Sequence, residues 1–133
     1  MEEIAIRVET EINPTEAEEK VKMALANLFG KVPTRTKPSY RGSVLIAEAK
    51  GQEALVKLRN LLRTDRVRDA ARRVLFDALR GKTIGFCLNK QVAFAGHVSF
   101  SEEVAESPLG PIRVAMECEN PRQLIDWLAP RIT

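Results

Sequence analysis

Ile4, Ile6, Val8 and Ile12 stand at even positions of the first twelve residues, with Ala5, Arg7, Glu9 and Glu11 between them. A period of two with one apolar side predicts a strand with one buried face. The period then lengthens. In "INPTEAEEKVKMALANLFG", Ala17, Val21, Ala24, Leu25 and Leu28 recur at helical spacing. Asn13 or Thr15 is placed to cap this helix, Pro14 suits its first turn, and Glu16, Glu18 and Glu19 suit its positive end. Gly30 can close it. "KVPTRTKPSYRG" has no period and carries two prolines and a glycine, so a loop is expected there. "SVLIAEAKG" is a short, more buried strand. "QEALVKLRNLLR" turns Leu55, Leu58, Leu61 and Leu62 inward as a helix. Thr64 or Asp65 can cap a third helix, from Asp65 to Leu79, which Gly81 stops.

Period two then returns. "KTIGFCLNK" and "AGHVSFS" read as two strands joined through "NKQVAF", and "IRVAMEC" as another after the turn-rich "ESPLGPI". "NPRQLIDWLAPRI" is a last helix, with Asn120 as cap, Pro121 in its first turn and Leu124, Ile125, Trp127 and Leu128 for packing. The order β-α-β-α-α-β-β-β-α predicts an α+β fold: a largely antiparallel sheet with helices packed on one face. No repeat, low-complexity tract or long linker divides the chain, so residues 1–133 are expected to form a single domain.

Composition narrows the class. The 133 residues are 44% hydrophobic, enough for a core and unlike a disordered chain. No apolar run approaches the roughly 18 residues of a membrane span. The acidic start "MEEIAIRVE" lacks the regions of a secretory signal. No membrane partner and a cytoplasmic location are therefore expected. Cys87 and Cys118 fall on opposite faces of their strands by alternation, which favours thiols over a disulfide. Neither is spaced with His97, the sole histidine, as a metal pair would be. His97 itself lacks a visible nucleophile or acid partner. No P-loop, dinucleotide or hydrolase motif occurs, so no catalytic residue, metal or cofactor is assigned.

The net charge of +3 hides an asymmetry: Arg35 to Lys90 holds 14 Lys+Arg against 5 Asp+Glu, and the rest 7 against 13. A basic middle can attract a polyanion, or the acidic ends of a second copy. Within it, the Asp65–Leu79 helix places Val67, Ala70, Ala71, Val74 and Ala78 on one arc and Arg66, Arg68, Arg72, Arg73 and Arg80 on the rest. Asp69 and Asp77 are spaced to pair with Arg72 and Arg73, each pair worth about 0.2–0.5 kcal/mol. Such a helix is either a salt-bridged wet face or a phosphate-binding one, for which the arginine fork is well suited. Phe76, in the same arc, packs on a neighbouring helix or subunit, or stacks. "TRTKPSYRG" places Tyr40 among Arg35, Lys37 and Arg41, a basic loop that either stacks a base or covers the core edge. Asn89, Lys90 and Gln91 interrupt an apolar stretch, and Ser107, Pro108, Gly110 and Pro111 fix a turn. They form either a small polar site at a strand end or hairpin register chemistry.

Together, "INPTEAEEKVKMAL", "FCLNKQVAFAGHVSF", "ESPLGPI" and "IDWLAP" resemble a family of small archaeal proteins described as RNA-binding, over nearly the whole chain. The resemblance implies a fold like that of ribosomal protein L-five and a distant link to predicted exosome-associated proteins. Its matching residues are Asn13, Pro14, Thr15 and Glu16; Asn89, Lys90 and Gln91; and Ser107, Pro108, Leu109, Gly110 and Pro111, with no role attached to any of them. Five Asn and three Gln against many Arg and Glu suit a thermophile, where ion-pair networks gain value. The expected function is RNA binding without catalysis, through Arg35, Lys37, Tyr40, Arg41, Arg66, Arg68, Arg72, Arg73 and Lys90. The alternatives are a self-associating scaffold, such as a homodimer, and an enzyme for a phosphorylated small molecule using Lys90 and His97.

Overall fold

The computed structural model describes residues 3–40, 42–102 and 110–131; Arg41, Ser107, Pro108 and Leu109 lie outside the described residues. In β1 (Ala5–Ile12) Ile6, Val8, Thr10 and Ile12 are buried, as the alternation demands. β1 runs between β3 (Gly42–Lys50) and β7 (Ile112–Glu117), antiparallel to both. β2 (Thr34–Ser39) flanks β3, and β5 (Thr83–Leu88) flanks β7. β4 (Leu79–Arg80) and β6 (Phe100–Ser101) both pair with β5. The order is β2-β3-β1-β7-β5-β4, with β6 also on β5. Every pairing is antiparallel.

The helices are α1 (Glu18–Phe29), α2 (Val56–Thr64, after a 3-10 turn at Gln52–Leu55), α3 (Arg68–Asp77), α4 (Lys90–Phe94) and α5 (Pro121–Leu128). Leu25 and Leu28, Leu58 and Leu62, Leu75, and Leu124 and Leu128 meet Val8, Ile84, Val114 and Met116 in one core. Each buried aliphatic side chain contributes about 1.5–3 kcal/mol. This is the expected α+β fold with an antiparallel sheet. No helix among the described residues is long and apolar enough to cross a membrane.

Capping follows sequence closely in α5, where Asn120 accepts from the Gln123 N–H and Pro121 occupies the first turn. It does not in α1. Ala17 is the cap residue and is exposed, while Asn13 closes a turn with Glu16 before the helix starts.

Four segments depart from expectation. Thr34–Ser39 is a strand, because β3 supplies a partner across the turn and an edge strand tolerates Pro38. Lys90–Phe94 is a one-turn helix, because the Asn89 side chain caps it by accepting from the Val92 N–H at 2.9 Å. One turn is too short to show a period. The expected strand through His97 shrinks to Phe100–Ser101. The third helix starts at Arg68, and its buried side chains are Ala71 and Leu75, so Ala70 is exposed and Arg68 and Arg72 lie half-buried on the flank.

The face of the sheet away from the core carries Arg7 and Arg35, which pair with Glu9 and Glu48. Cys87 faces that side and is half-buried; Cys118 is buried in the core.

Candidate nucleic-acid interface

The chain between α2 and α3 turns through a helix C-terminus that ends on a left-handed residue. Arg66 has φ 59° and is the one non-glycine residue with positive φ among those described. Its N–H donates to the Arg63 carbonyl at 3.1 Å, and the Val67 N–H to the Leu62 carbonyl at 3.0 Å. This is the Schellman arrangement, whose left-handed position usually holds glycine. The turn also explains why Asp65 does not cap α3. Its carboxylate accepts the Val98 N–H at 2.8 Å and lies 3.1 Å from His97 Nδ1.

Four of the arginines around this corner have no compensating oxygen among the described residues. Among the described residues, the side chains of Arg63, Arg66, Arg68 and Arg73 make no ion pair or hydrogen bond. Asp69 and Asp77, spaced to neutralise the helix, form no ion pair either. Arg72 is the exception. It pairs with Asp126 on α5 at 2.7 Å, donates to the Ala129 carbonyl at 3.2 Å, and lies 4.9 Å from the Phe76 ring centroid. Its side chain is 18% exposed, so it fastens α3 to α5 instead of facing a ligand. Phe76 also carries Arg122 at 5.6 Å, which explains an aromatic in the arginine arc without a bound base or a second subunit. Arg59 and Arg63, not singled out by sequence, belong to the same corner. Arg59 donates to the Trp127 carbonyl at 2.9 Å and rests 5.2 Å from the Trp127 ring centroid. Their spacing of four along α2 was the available signal.

The hairpin β2–β3 is a separate basic region. Lys37 is exposed and makes no ion pair among the described residues, Tyr40 is 98% exposed, and Arg35 is held by Glu48 at 2.9 Å. β2 stands four strand spacings from β5, about 19 Å, and α3 packs on β5. The hairpin and the α2–α3 corner therefore do not form one strip. The open sheet face between them offers no stacking platform, since its described positions on β1, β3, β7 and β5 hold no aromatic residue.

Lys90 corrects the expected interface. It is 4% exposed, and its ammonium donates to the Glu11 carbonyl at 2.7 Å and to both Glu16 carboxylate oxygens at 3.1 and 3.3 Å. The Asn13 N–H and side-chain amide donate to the same carboxylate at 3.0 and 2.7 Å. Burial alone would raise the Glu16 carboxyl, but the Asn13 donors and the Lys90 ammonium outweigh it and hold its pKa below the ordinary range. An ammonium so occupied has no room for phosphate, whether from RNA or a small-molecule substrate. Asn13, Glu16 and Lys90 thus meet at one structural hub, where the first turn of α4, capped by Asn89, locks onto the end of β1. Thr15 and Gln91 line a cleft of about 370 Å³ beside it, rimmed by Lys20 and the half-exposed Phe94. Pro111 accepts the buried Thr10 hydroxyl at 3.1 Å.

Fold and site together define a small α+β protein with an uncompensated arginine corner on its helical side. Residues 5–118 match the family described as RNA binding, and the chain belongs to that family. It is 46% identical over 129 residues to a UPF0201 protein of Pyrobaculum calidifontis, covering 95% of this chain and 90% of that one. It is 43% identical over 126 residues to a UPF0201 protein of Sulfurisphaera tokodaii, covering 95% and 87%. The crystal structure of a UPF0201 protein from Methanococcus jannaschii superposes with a TM-score of 0.79 at 30% identity, covering 99% and 96%.

Proposed function

We propose that the protein binds RNA without transforming it, through phosphate contacts at the α2–α3 corner. The observation that carries this is the set of arginines, Arg63, Arg66, Arg68 and Arg73, left without an anionic partner among the described residues. A solvated, salt-bridged face would have used Asp69 and Asp77. Family membership supplies the class of polyanion. Lys37 and Tyr40 on the hairpin are a second, more distant contact, with Tyr40 free to stack a base while Lys37 meets phosphate. Arg72 and Lys90 are excluded from the contact set, because their charges are satisfied inside the molecule.

Self-association of the basic middle with acidic ends is disfavoured by Phe76, which Arg72 and Arg122 already cover. The test is a fluorescence anisotropy titration with single-stranded and hairpin RNA at low salt. Single-strand affinity should fall with a log–log salt slope near −0.7 per phosphate contact. Charge reversal at Arg66 together with Arg73 should weaken binding by about tenfold or more, at roughly 1.4 kcal/mol per decade. Micromolar protein that binds neither RNA, or binding indifferent to that reversal, refutes the proposal.

A further inference from the structure

Arg59, Asn60, Arg63 and Arg68, with Pro130 as a wall, surround a hollow of about 70 Å³. A single water needs roughly 10–15 Å³ of such space, so the hollow takes a few waters or one compact polar group. The α1–α4 cleft, by contrast, measures about 370 Å³. Three arginines line the small hollow, and among the described residues no carboxylate lines it. Asp69, in the first turn of α3, is not among its walls, and Asp126 is engaged by Arg72. Like charges grouped this way repel one another until an anion enters.

The group is built for an anion in three further respects. Arg59 is held by the Trp127 carbonyl and ring, so less side-chain freedom is lost when it binds. Asn60 adds an uncharged amide donor. Arg68 opens α3, whose cap residue Val67 offers no side-chain acceptor to the first-turn N–H groups, and that helix end favours negative charge.

We propose that this hollow receives a terminal phosphate monoester of an RNA strand, so that the protein recognises a phosphorylated RNA end. The proposal rests on the RNA-binding reading above and names its substrate class. An internal phosphodiester has one charge and continues into a sugar on both sides, which suits an open groove. A terminal phosphate has a charge of about −1.5 to −2 at neutral pH, three free oxygens and a single ester link. Bidentate guanidinium contacts match those oxygens.

The experiment compares one RNA oligonucleotide in three forms, with a 5′-phosphate, with a 3′-phosphate and with hydroxyl ends, and adds inorganic phosphate as a competitor. At least one phosphorylated form is expected to bind about tenfold or more tightly than the hydroxyl form. That preference should vanish in Arg63→Gln and in Asn60→Ala, both at exposed positions where folding should survive, and inorganic phosphate should erode it. Equal affinity for all three forms overturns the proposal while leaving RNA binding intact. Preference retained in both variants overturns the assignment to this hollow. If inorganic phosphate raises thermal stability but no RNA binds, the RNA reading falls and the hollow is a site for free phosphate. If neither binds, both proposals fall.

Discussion

The Lys90 hub and the α2–α3 corner are both cationic, and they differ in where the compensating oxygens lie. At the hub they are internal: the Glu11 carbonyl and the Glu16 carboxylate, itself held by the Asn13 amide N–H, close around one ammonium. At the corner Arg63, Arg66 and Arg68 point to solvent or line a small hollow, and no carboxylate among the described residues serves them. A buried charge must be paired or it destabilises the fold. An exposed one is solvated by water at little cost, so it can be left for a partner. The same residue types thus act as a fastener in one place and as a free surface in the other. Density of Lys and Arg along the chain does not separate the two.

The hub should break first and hardest. Lys90→Ala removes the partner of a nearly buried carboxylate and should cost about 3–5 kcal/mol, read as a fall in the urea midpoint or Tm. RNA affinity per folded molecule should not change. If that variant does not fold, Lys90→Met combined with Glu16→Leu decides the matter, because removing both charges should be near neutral or stabilising. A pH titration of stability gives a second handle. The folded Glu16 carboxyl lies below its unfolded value, so its contribution is present above the ordinary glutamate range, roughly 4.3, and is lost as pH falls through the lower folded value. The double variant should lose that component of acid destabilisation. An acid profile identical to the parent's would show that the hub does not carry it.

The hairpin can be set against the corner by a backbone change. Gly42 has φ 150°, and a Cβ there would lie 2.5 Å from the Ile12 carbonyl oxygen. Gly42→Ala must shift β3 against β1 and should cost about 1–3 kcal/mol, while displacing the tip that bears Tyr40. If the hairpin takes part in RNA binding, affinity should drop together with stability. If the corner acts alone, only stability should drop.

How much of this was legible along the chain follows from the range of the forces involved. Periodicity located β1, α1, β3, β5, β7 and α5, because each exposes one face to water and so writes its burial into its own sequence. β2 was missed because it is exposed on both faces and exists only through β3. α4 was missed because a single capped turn has no period. The corner was half visible. Sequence groups Arg72 with Arg66, Arg68 and Arg73 as phosphate contacts, because its true carboxylate comes from Asp126, 54 positions later in the chain. Arg59 and Arg63 were overlooked because they sit on the preceding helix, and only the fold brings them beside Arg68. Asn13, Glu16 and Lys90 stand out in the sequence as family residues but not as one contact, which needs β1 and α4 side by side.

The smallest expected effect separates fold from function most sharply. Arg66 occupies a left-handed position that costs a non-glycine residue about 1–2 kcal/mol. Glycine there gives back part of that through the greater freedom of its unfolded chain, about 0.4–1 kcal/mol. Arg66→Gly should therefore stabilise the protein by roughly 0.5–1 kcal/mol net, measured from denaturant midpoints at unchanged slope. The same change removes a cation beside the proposed phosphate contacts, so RNA affinity should fall and the salt slope should become shallower by about 0.7. Stability and binding are thus expected to move in opposite directions at one residue. That outcome would mark Arg66 as strain kept for a ligand. A variant that gains stability and binds RNA as before would show that Arg66 belongs to the turn alone, and would confine the interface to Arg63, Arg68 and their neighbours.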